Sequence, residues 1–190
     1  MELFKTIRNR RSIRHYKPDP VSDKDLKKVL EAARLAPSWK NCQCWRFIVI
    51  RDQAGREALA DCLPPTNGAT NAVRQAPVTI IACAEIGKSG YGKEEPEKPE
   101  TDKGDYWYMY DVGVAMENLV LAAHSLGLGT VHVGLFDAQK VATTLNVPDG
   151  YCVVALTPLG YPERQPNPRP RKELAEIVFY EKFGTPEPKA

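Results

Sequence analysis

Residues 106–126 read YWYMYDVGVAMENLVLAAHSL, and the fold turns on how this stretch is covered. Wound at 3.6 residues per turn, its polar side chains fall in two narrow seams. Asp111, Asn118 and Ser125 form one, and Glu117 and His124 form the other. The remainder is apolar or small. A surface helix needs only one apolar stripe, so this helix is expected to be covered on most sides. A chain of 190 residues has few elements with which to do so. A second copy of the chain is the expected remedy. Gly113, Ala115, Ala122 and Ala123 permit close approach of backbones there. Gly127-Leu128-Gly129 ends the helix with a glycine-type terminus.

Outward from this helix the chain alternates irregularly. Residues 2–9 read as a short helix with Leu3, Phe4 and Ile7 on one side. Ser22 is suited to cap a second helix running to about Leu35, which Pro37 stops. Strands are expected at residues 45–50, 78–84, 130–135 and 151–156, with helices at about 53–63, near Gln75, and from an Asp137 cap to Leu145. Residues 85–105 are charged, with little that is apolar beyond Ile86 and Tyr91. They read as a lid over a site, with Tyr91, Lys93 and Glu94 available, or as a plain solvated loop. From about residue 162 an arm begins, and Pro166, Pro168 and Pro170 hold part of it straight. Residues 177–180, Ile-Val-Phe-Tyr, are suited to an edge strand. The pattern is α+β in a single domain, residues 1–190.

Composition excludes several classes. The net charge of +2 gives no bulk argument for nucleic acid. No stretch approaches the ~18 apolar residues of a membrane span, and the N-terminus has no apolar signal core. The 5 cysteines show no disulfide-rich spacing, so a reducing, cytoplasmic setting is expected. There is no G-x-G-x-x-G, no complete phosphate-cradling G-x-x-x-x-G-K-[ST] and no H-E-x-x-H.

Four groups of residues can carry chemistry. Residues 1–17 hold 6 basic groups against the single acid Glu2. Within them Arg10, Ser12 and Arg14 share a side if the segment is extended, and arginine forks match phosphate oxygens. The alternatives are a solvated basic surface or ion pairs with the acidic excursion. Arg171 and Lys172 are further candidates for the same anion. The loop at residues 37–43, PSWKNCQ, has short polar side chains that can line a heterocycle or merely satisfy their own turn. Cys42 and Cys44 form a C-x-C. A metal site needs more ligands than this spacing supplies, and none is expected; a catalytic thiol needs a base that the sequence does not reveal. Gly127 to Gly129 either admit a flat ligand to the backbone or simply terminate the helix.

Taken together, these residues resemble the nitroreductase family of flavin enzymes. The resemblance rests on RRSIR at 10–14, APSWKNCQCWRF at 36–47, the helix from Asp111 through GLGT at 127–130, and Gly160-Tyr161-Pro162 followed by a basic arm at 169–172. It spans nearly the whole chain. It implies an α+β fold with a central, mixed but mainly antiparallel sheet surrounded by helices, in an intertwined homodimer with exchanged C-terminal arms. It implies FMN at two interfacial sites. Arg10, Ser12 and Arg14, with neighbouring Arg11, would hold its phosphate and ribityl oxygens, helped by Arg171 or Lys172. Pro37, Ser38, Trp39 and Asn41 would border the ring or ribityl chain, Asn41 serving the partner's flavin. Gly127, Leu128 and Gly129 would approach the isoalloxazine. Cys44 departs from the family pattern, which often has proline there. The implied reaction is hydride transfer from NADH or NADPH through flavin N5 to an electron-poor acceptor such as a nitroaromatic or quinone, in two half-reactions. Reductive dehalogenation and flavin fragmentation are specialised alternatives within the family. A non-redox phosphate-binding or interaction module and a thiol-dependent enzyme are alternatives outside it.

Overall fold

The computed structural model describes residues 2–92 and 98–188. Its centre is a four-stranded sheet in the order β1-β2-β4-β3, formed by β1 (Trp45–Ile50), β2 (Val78–Glu85), β3 (Gly129–Thr130) and β4 (Tyr151–Gly160). All three strand pairs are antiparallel. The parallel element is a single bridge at the edge, Ser12 to Thr130. Strand β2 is buried along almost its whole length, as its apolar run requires when both faces of a sheet are covered. Ile80, Ala82 and Ala84 point to one core, and Ile81 and Cys83 to the other, following the two-residue alternation of a strand.

Helices α2 (Asp23–Arg34) and α5 (Trp107–Ser125) cover the first face. Helices α3 (Gln53–Ala60), α4 (Thr70–Gln75) and α6 (Ala138–Thr144) cover the second. Side-chain caps start three of them. Ser22, Asp52 and Asp137 accept from the amides of Asp25, Gly55 and Lys140 respectively, each satisfying a backbone donor that the first turn leaves open. Helix α1 (Leu3–Asn9) lies near α5, and α7 (Leu174–Ile177) sits in the C-terminal arm.

Helix α5 buries Val112, Ala115, Met116, Leu119, Val120 and Ala123. Its two polar seams are used differently. Asp111 is 1% exposed, and Asn118 Nδ2 donates to the Ala32 carbonyl of α2 at 3.2 Å. Glu117 lies on an exposed side with Gly113, Met109 and Tyr110. Within one chain α5 is therefore covered on one side only, short of the near-complete cover expected from its composition.

Two strand expectations change. Residues 130–135 do not form a continuous strand. Thr130 pairs with Leu159, and pairing resumes at Val133 and Leu156. The residue between that must supply a ladder N–H on this side is Pro158, which has none. Its carbonyl accepts from the Tyr16 hydroxyl at 3.2 Å. Residues 177–180 form no strand in one chain. Glu173 and Glu176 make a capping box that winds α7 into a helical turn, and the arm lies exposed with no sheet edge beside it. Lys93 and Glu94, candidates for a lid, lie outside the described residues.

Leu119 is fully buried between α5 and the sheet. Leu119→Ala is expected to lower unfolding free energy by about 2–5 kcal/mol through lost burial and the cavity left behind, measured by urea denaturation. A loss below ~1 kcal/mol would mean that this face of α5 is not a packed core.

Candidate functional site

The sequence candidates sort into two groups at opposite ends of α5. The first lies near its C-terminal end. After α1 the chain runs extended beside β3, where the Ile13 amide donates to the Thr130 carbonyl at 2.8 Å. Ile13 is buried, while Ser12 and Arg14 on either side of it are not, so alternation turns both outward. Ser12 and Arg14 line a cleft of about 390 Å³ with His15 and Arg164 to Asn167. Arg10 lies where its charge acts on Glu117, His124 and His132. Among the described residues neither the Arg10 nor the Arg14 guanidinium has a recorded side-chain hydrogen bond or ion pair. No described residue of the acidic excursion pairs with either of them. Arg11 differs, because its Nη1 turns back to the Arg8 and Arg10 carbonyls at 2.7 and 2.8 Å.

The His124 ring sits in the same region. Burial first, and then the charges of Arg10 and Arg11, hold its pKa below the usual 6.5. Its Nε2 is buried with no protein partner. Burial raises the Glu117 carboxyl, with Arg10 partly offsetting it.

The second group lies at the N-terminal end of α5. Residues 38–43 form a tight turn in which Lys40, Asn41 and Gln43 all have positive φ, at 44°, 56° and 48°. Non-glycine residues rarely adopt that conformation, so the surroundings must enforce it. The Ser38 hydroxyl accepts from the Gln43 amide at 3.0 Å. The Asn41 carbonyl oxygen accepts from the Gln43 side chain at 3.1 Å. The buried Asp111 carboxylate accepts from the Trp39 amide at 3.0 Å and from the Ser89 hydroxyl at 2.5 Å. Asp111 thus ties the loop to α5 and to the base of the excursion. Trp39 Nε1 donates to the Tyr91 carbonyl at 3.1 Å, and Lys40 pairs with Glu100. Trp39 packs edge-on against Trp107 at 5.4 Å, and Trp107 packs against Tyr110 at 5.3 Å. The excursion is pinned to the loop by its described residues, which favours neither a free solvated loop nor an unattached lid. Pro37 is exposed at the entry of the turn.

Sequence reasoning took Asp111 for one member of a polar seam and missed it as the anchor of this loop. A lone carboxylate near the start of an otherwise apolar helix was the available signal. Ser89 left no signal at all.

The glycines serve packing. A Cβ on Gly129 would lie 2.6 Å from Ile13 Cγ1 and 2.9 Å from Pro162 Cγ. The space on that side is filled by protein. Gly127 has φ of 78° and closes α5, as a helix-ending glycine does. The Leu128 side chain is in the core, 1% exposed, so only its backbone is available to a ligand. Arg171 and Lys172 are exposed on the arm, where Arg171 Nη1 donates to the Arg169 and Pro170 carbonyls.

The surroundings of Cys42 and Cys44 favour the protonated thiol. Burial, then the neighbouring Cys42 and Asp111, pushes Cys44 up to about 12. Burial and Asp111 also raise Cys42. Both remain thiols near neutrality, whereas a nucleophilic cysteine must be a thiolate. All 5 cysteines are free.

Two outcomes follow from this geometry. Gly129→Ala should cost about 1–3 kcal/mol from overpacking, while Gly134→Ala, with nothing within 4 Å of its Cβ position, should be near neutral in the same thermal unfolding assay. For His124 the unfolded chain takes up a proton near pH 6.5 that the native ring resists. Its contribution is full above that pH and is lost as pH falls below it. His124→Gln should flatten the drop in unfolding midpoint below about pH 6.5 relative to the parent, and an unchanged slope would contradict the assignment.

Comparison with known proteins gives one answer. The family model described as "Nitroreductase family" matches residues 7–63 and 65–161. A protein of Archaeoglobus fulgidus named putative NADH dehydrogenase/NAD(P)H nitroreductase is 34% identical over 166 residues, covering 85% of this chain and 86% of that protein. A 5,6-dimethylbenzimidazole synthase of Rhodospirillum rubrum is 32% identical over 182 residues, covering 86% of this chain and 83% of that protein. The crystal structure of a nitroreductase family protein from Clostridium novyi NT superposes with a TM-score of 0.76 at 31% identity, covering 98% of this chain and 97% of that one. With its antiparallel sheet flanked by helices and a family match over most of its length, the chain belongs to the nitroreductase family of FMN-dependent oxidoreductases.

Proposed function

We propose that residues 1–190 act as a single FMN-binding domain that oxidises NADH or NADPH and passes the electrons to a small electron-poor acceptor, such as a nitroaromatic or a quinone. The observation that carries this reading is the pair of guanidinium groups of Arg10 and Arg14, without a partner among the described residues, flanking the outward-facing Ser12. A concentration of cationic donors with no protein acceptor fits a phosphate, which accepts several charge-assisted hydrogen bonds at once.

In this reading Arg10 and Arg14 hold the phosphate and Ser12 donates its hydroxyl proton to the same group. Arg11 keeps its fork on backbone carbonyls and contributes field alone. Arg171 and Lys172 add charge from the arm. Pro37, Ser38 and Asn41 border the ring and ribityl chain, and the Trp39, Trp107 and Tyr110 rings wall off water from the acceptor face. Gly127, Leu128 and Gly129 offer backbone only. When bound, FMN supplies acceptance and onward delivery of a hydride, in two successive half-reactions, and the protein supplies orientation and electrostatics. No side chain is assigned as proton donor, and protons come from water or from the flavin itself.

A homodimer with exchanged arms completes the reading. Leu3, Phe4 and Ile7 of α1 are 50–71% exposed, Met109 and Tyr110 of α5 are 48% and 64% exposed, and Leu174 and Phe183 of the arm are 74% and 93% exposed. Apolar surface on this scale marks an interface. A second reading, synthesis of 5,6-dimethylbenzimidazole, is supported by the similarity to the Rhodospirillum rubrum synthase.

The test is FMN titration of the purified protein and two variants. Arg14→Ala should raise the FMN Kd about 10- to 100-fold, the worth of a hydrogen bond to a charged group. Arg51→Ala should leave it unchanged, because Arg51 pairs with Asp23 at 2.6 Å in a different cleft. Equal affinities in the two variants would contradict the assignment. Anaerobic NADH and NADPH should bleach the bound flavin, and bleaching by neither would overturn the nicotinamide half. Formation of 5,6-dimethylbenzimidazole in place of acceptor reduction would select the second reading.

A further inference from the structure

Beneath the loop at residues 38–43 lies a group of side chains that the flavin reading does not use. The Cys42 and Cys44 sulfurs and a carboxylate oxygen of Asp111 all lie within 4.8 Å of one another. Cys44 and Asp111 are buried and Cys42 is partly buried. We infer that these three residues form a binding site for one thiophilic divalent cation of the zinc class.

The distances suit such an ion. Tetrahedral zinc, with bonds of about 2.3 Å to sulfur and about 2.0 Å to oxygen, sets its ligand atoms roughly 3.5–3.8 Å apart. The cluster reaches that by side-chain shifts of about an ångström. The backbone is already bent to suit. Gln43, between the two cysteines, has φ of 48°, and both thiols lie against Asp111 on α5.

The carboxylate has a vacant side. Hydrogen bonds from Trp39, Ser89 and Cys42 all fall on Oδ2, and Oδ1 accepts none among the described residues. The charge is also uncompensated, because Asp111 makes no ion pair among the described residues while being 1% exposed. A buried carboxylate without a cation is costly. Binding a dication here displaces two thiol protons, so the net charge of the site does not change. A dication would therefore add no net charge to this buried position.

The third ligand is why nothing in the order of residues announces the site. C-x-C alone is too few donors, and Asp111 is remote in sequence from both cysteines. Cys44 stands where the family pattern often has proline, so the site belongs to this chain's own departure from that pattern. A bound ion would tie the start of β1 to α5 through the loop. This inference is independent of the flavin reading, since its readouts do not require turnover.

The test uses the full-length protein as isolated, freed of metal by chelation and kept reduced. Zn²⁺ is added against a chromophoric chelator, and Cd²⁺ is added while the thiolate-to-cadmium charge-transfer band is followed. The expected result is one ion per chain, release of two protons per ion in weakly buffered solution, and a higher unfolding midpoint with Zn²⁺. Cys42→Ser and Cys44→Ser should each abolish the cadmium band, and Cys62→Ser should keep it. Asp111→Asn should weaken binding by about a hundredfold or more, beyond the loss from removing an outer hydrogen-bond partner. No uptake by the reduced parent, fewer than two protons released, or an unchanged cadmium band in either single cysteine variant would overturn the site. The proton count on the parent decides the matter even if a variant fails to fold.

Discussion

A rigid helix cannot bring its own ends together, and the geometry of this protein follows from that constraint. Helix α5 has 19 residues, a length of about 28 Å at 1.5 Å per residue. The Arg10–Ser12–Arg14 strap lies by its C-terminal end, where His124 marks the position. The loop at residues 38–43 is fastened to its N-terminal end through Asp111. The two anchor points, Asp111 and His124, are thirteen residues or about 20 Å apart along the helix. Both groups carry donors suited to a ligand, and the loop adds strained backbone, yet within one chain they form separate surfaces. In the proposed homodimer, two copies lying against the exposed side of α5 would set the strap of one beside the loop of the other. The apolar surface on α1, α5 and the arm is suited to hold such a pair together.

Strain and charge concentrate at the loop end. Three non-glycine residues with positive φ within four positions cost on the order of 1–3 kcal/mol each. What holds them is the Asp111 carboxylate, reached from three directions by an amide, a hydroxyl and a thiol. The strap end is fixed differently. Ile13 is buried against Gly129 and Pro162, and Tyr16 donates to the Ile13 and Pro158 carbonyls at 2.8 and 3.2 Å. Burial also pushes the Tyr16 phenol well above its ordinary range, with Arg14 opposing, so it stays a donor throughout the working pH range. Preorganisation at both ends thus comes from buried contacts beneath the surface that a ligand would see.

Much of this was legible in the sequence because it is local. The apolar run of β2, the Ser22 and Asp137 caps, the Pro37 stop and the glycine end of α5 are each set by neighbours within a few residues. The extended strap was legible too, since Arg10, Ser12 and Arg14 share a parity. What escaped reading depends on contacts far along the chain. Pro158 interrupts β3 only because of the register that β4 adopts. Asp111 looked like one polar position among several, and nothing near it announces Ser89 or Cys42. Gly127 to Gly129 left helix termination and approach to a flat ligand both open, and only the fold shows that Ile13 and Pro162 crowd the Cβ side of Gly129. Residues 177–180 have strand composition, but within one chain they pair with no strand among the described residues.

In the proposed homodimer each cofactor site takes its strap from one copy and its loop from another. Mixed dimers of an Arg14→Ala chain and an Asn41→Ala chain test it, isolated with two different affinity tags and titrated with FMN. Sharing between copies predicts that one site per mixed dimer regains parental affinity while the other is doubly impaired, although both parent homodimers bind weakly. Two equally weakened sites in the mixed dimer, each matching its own homodimer, would contradict it.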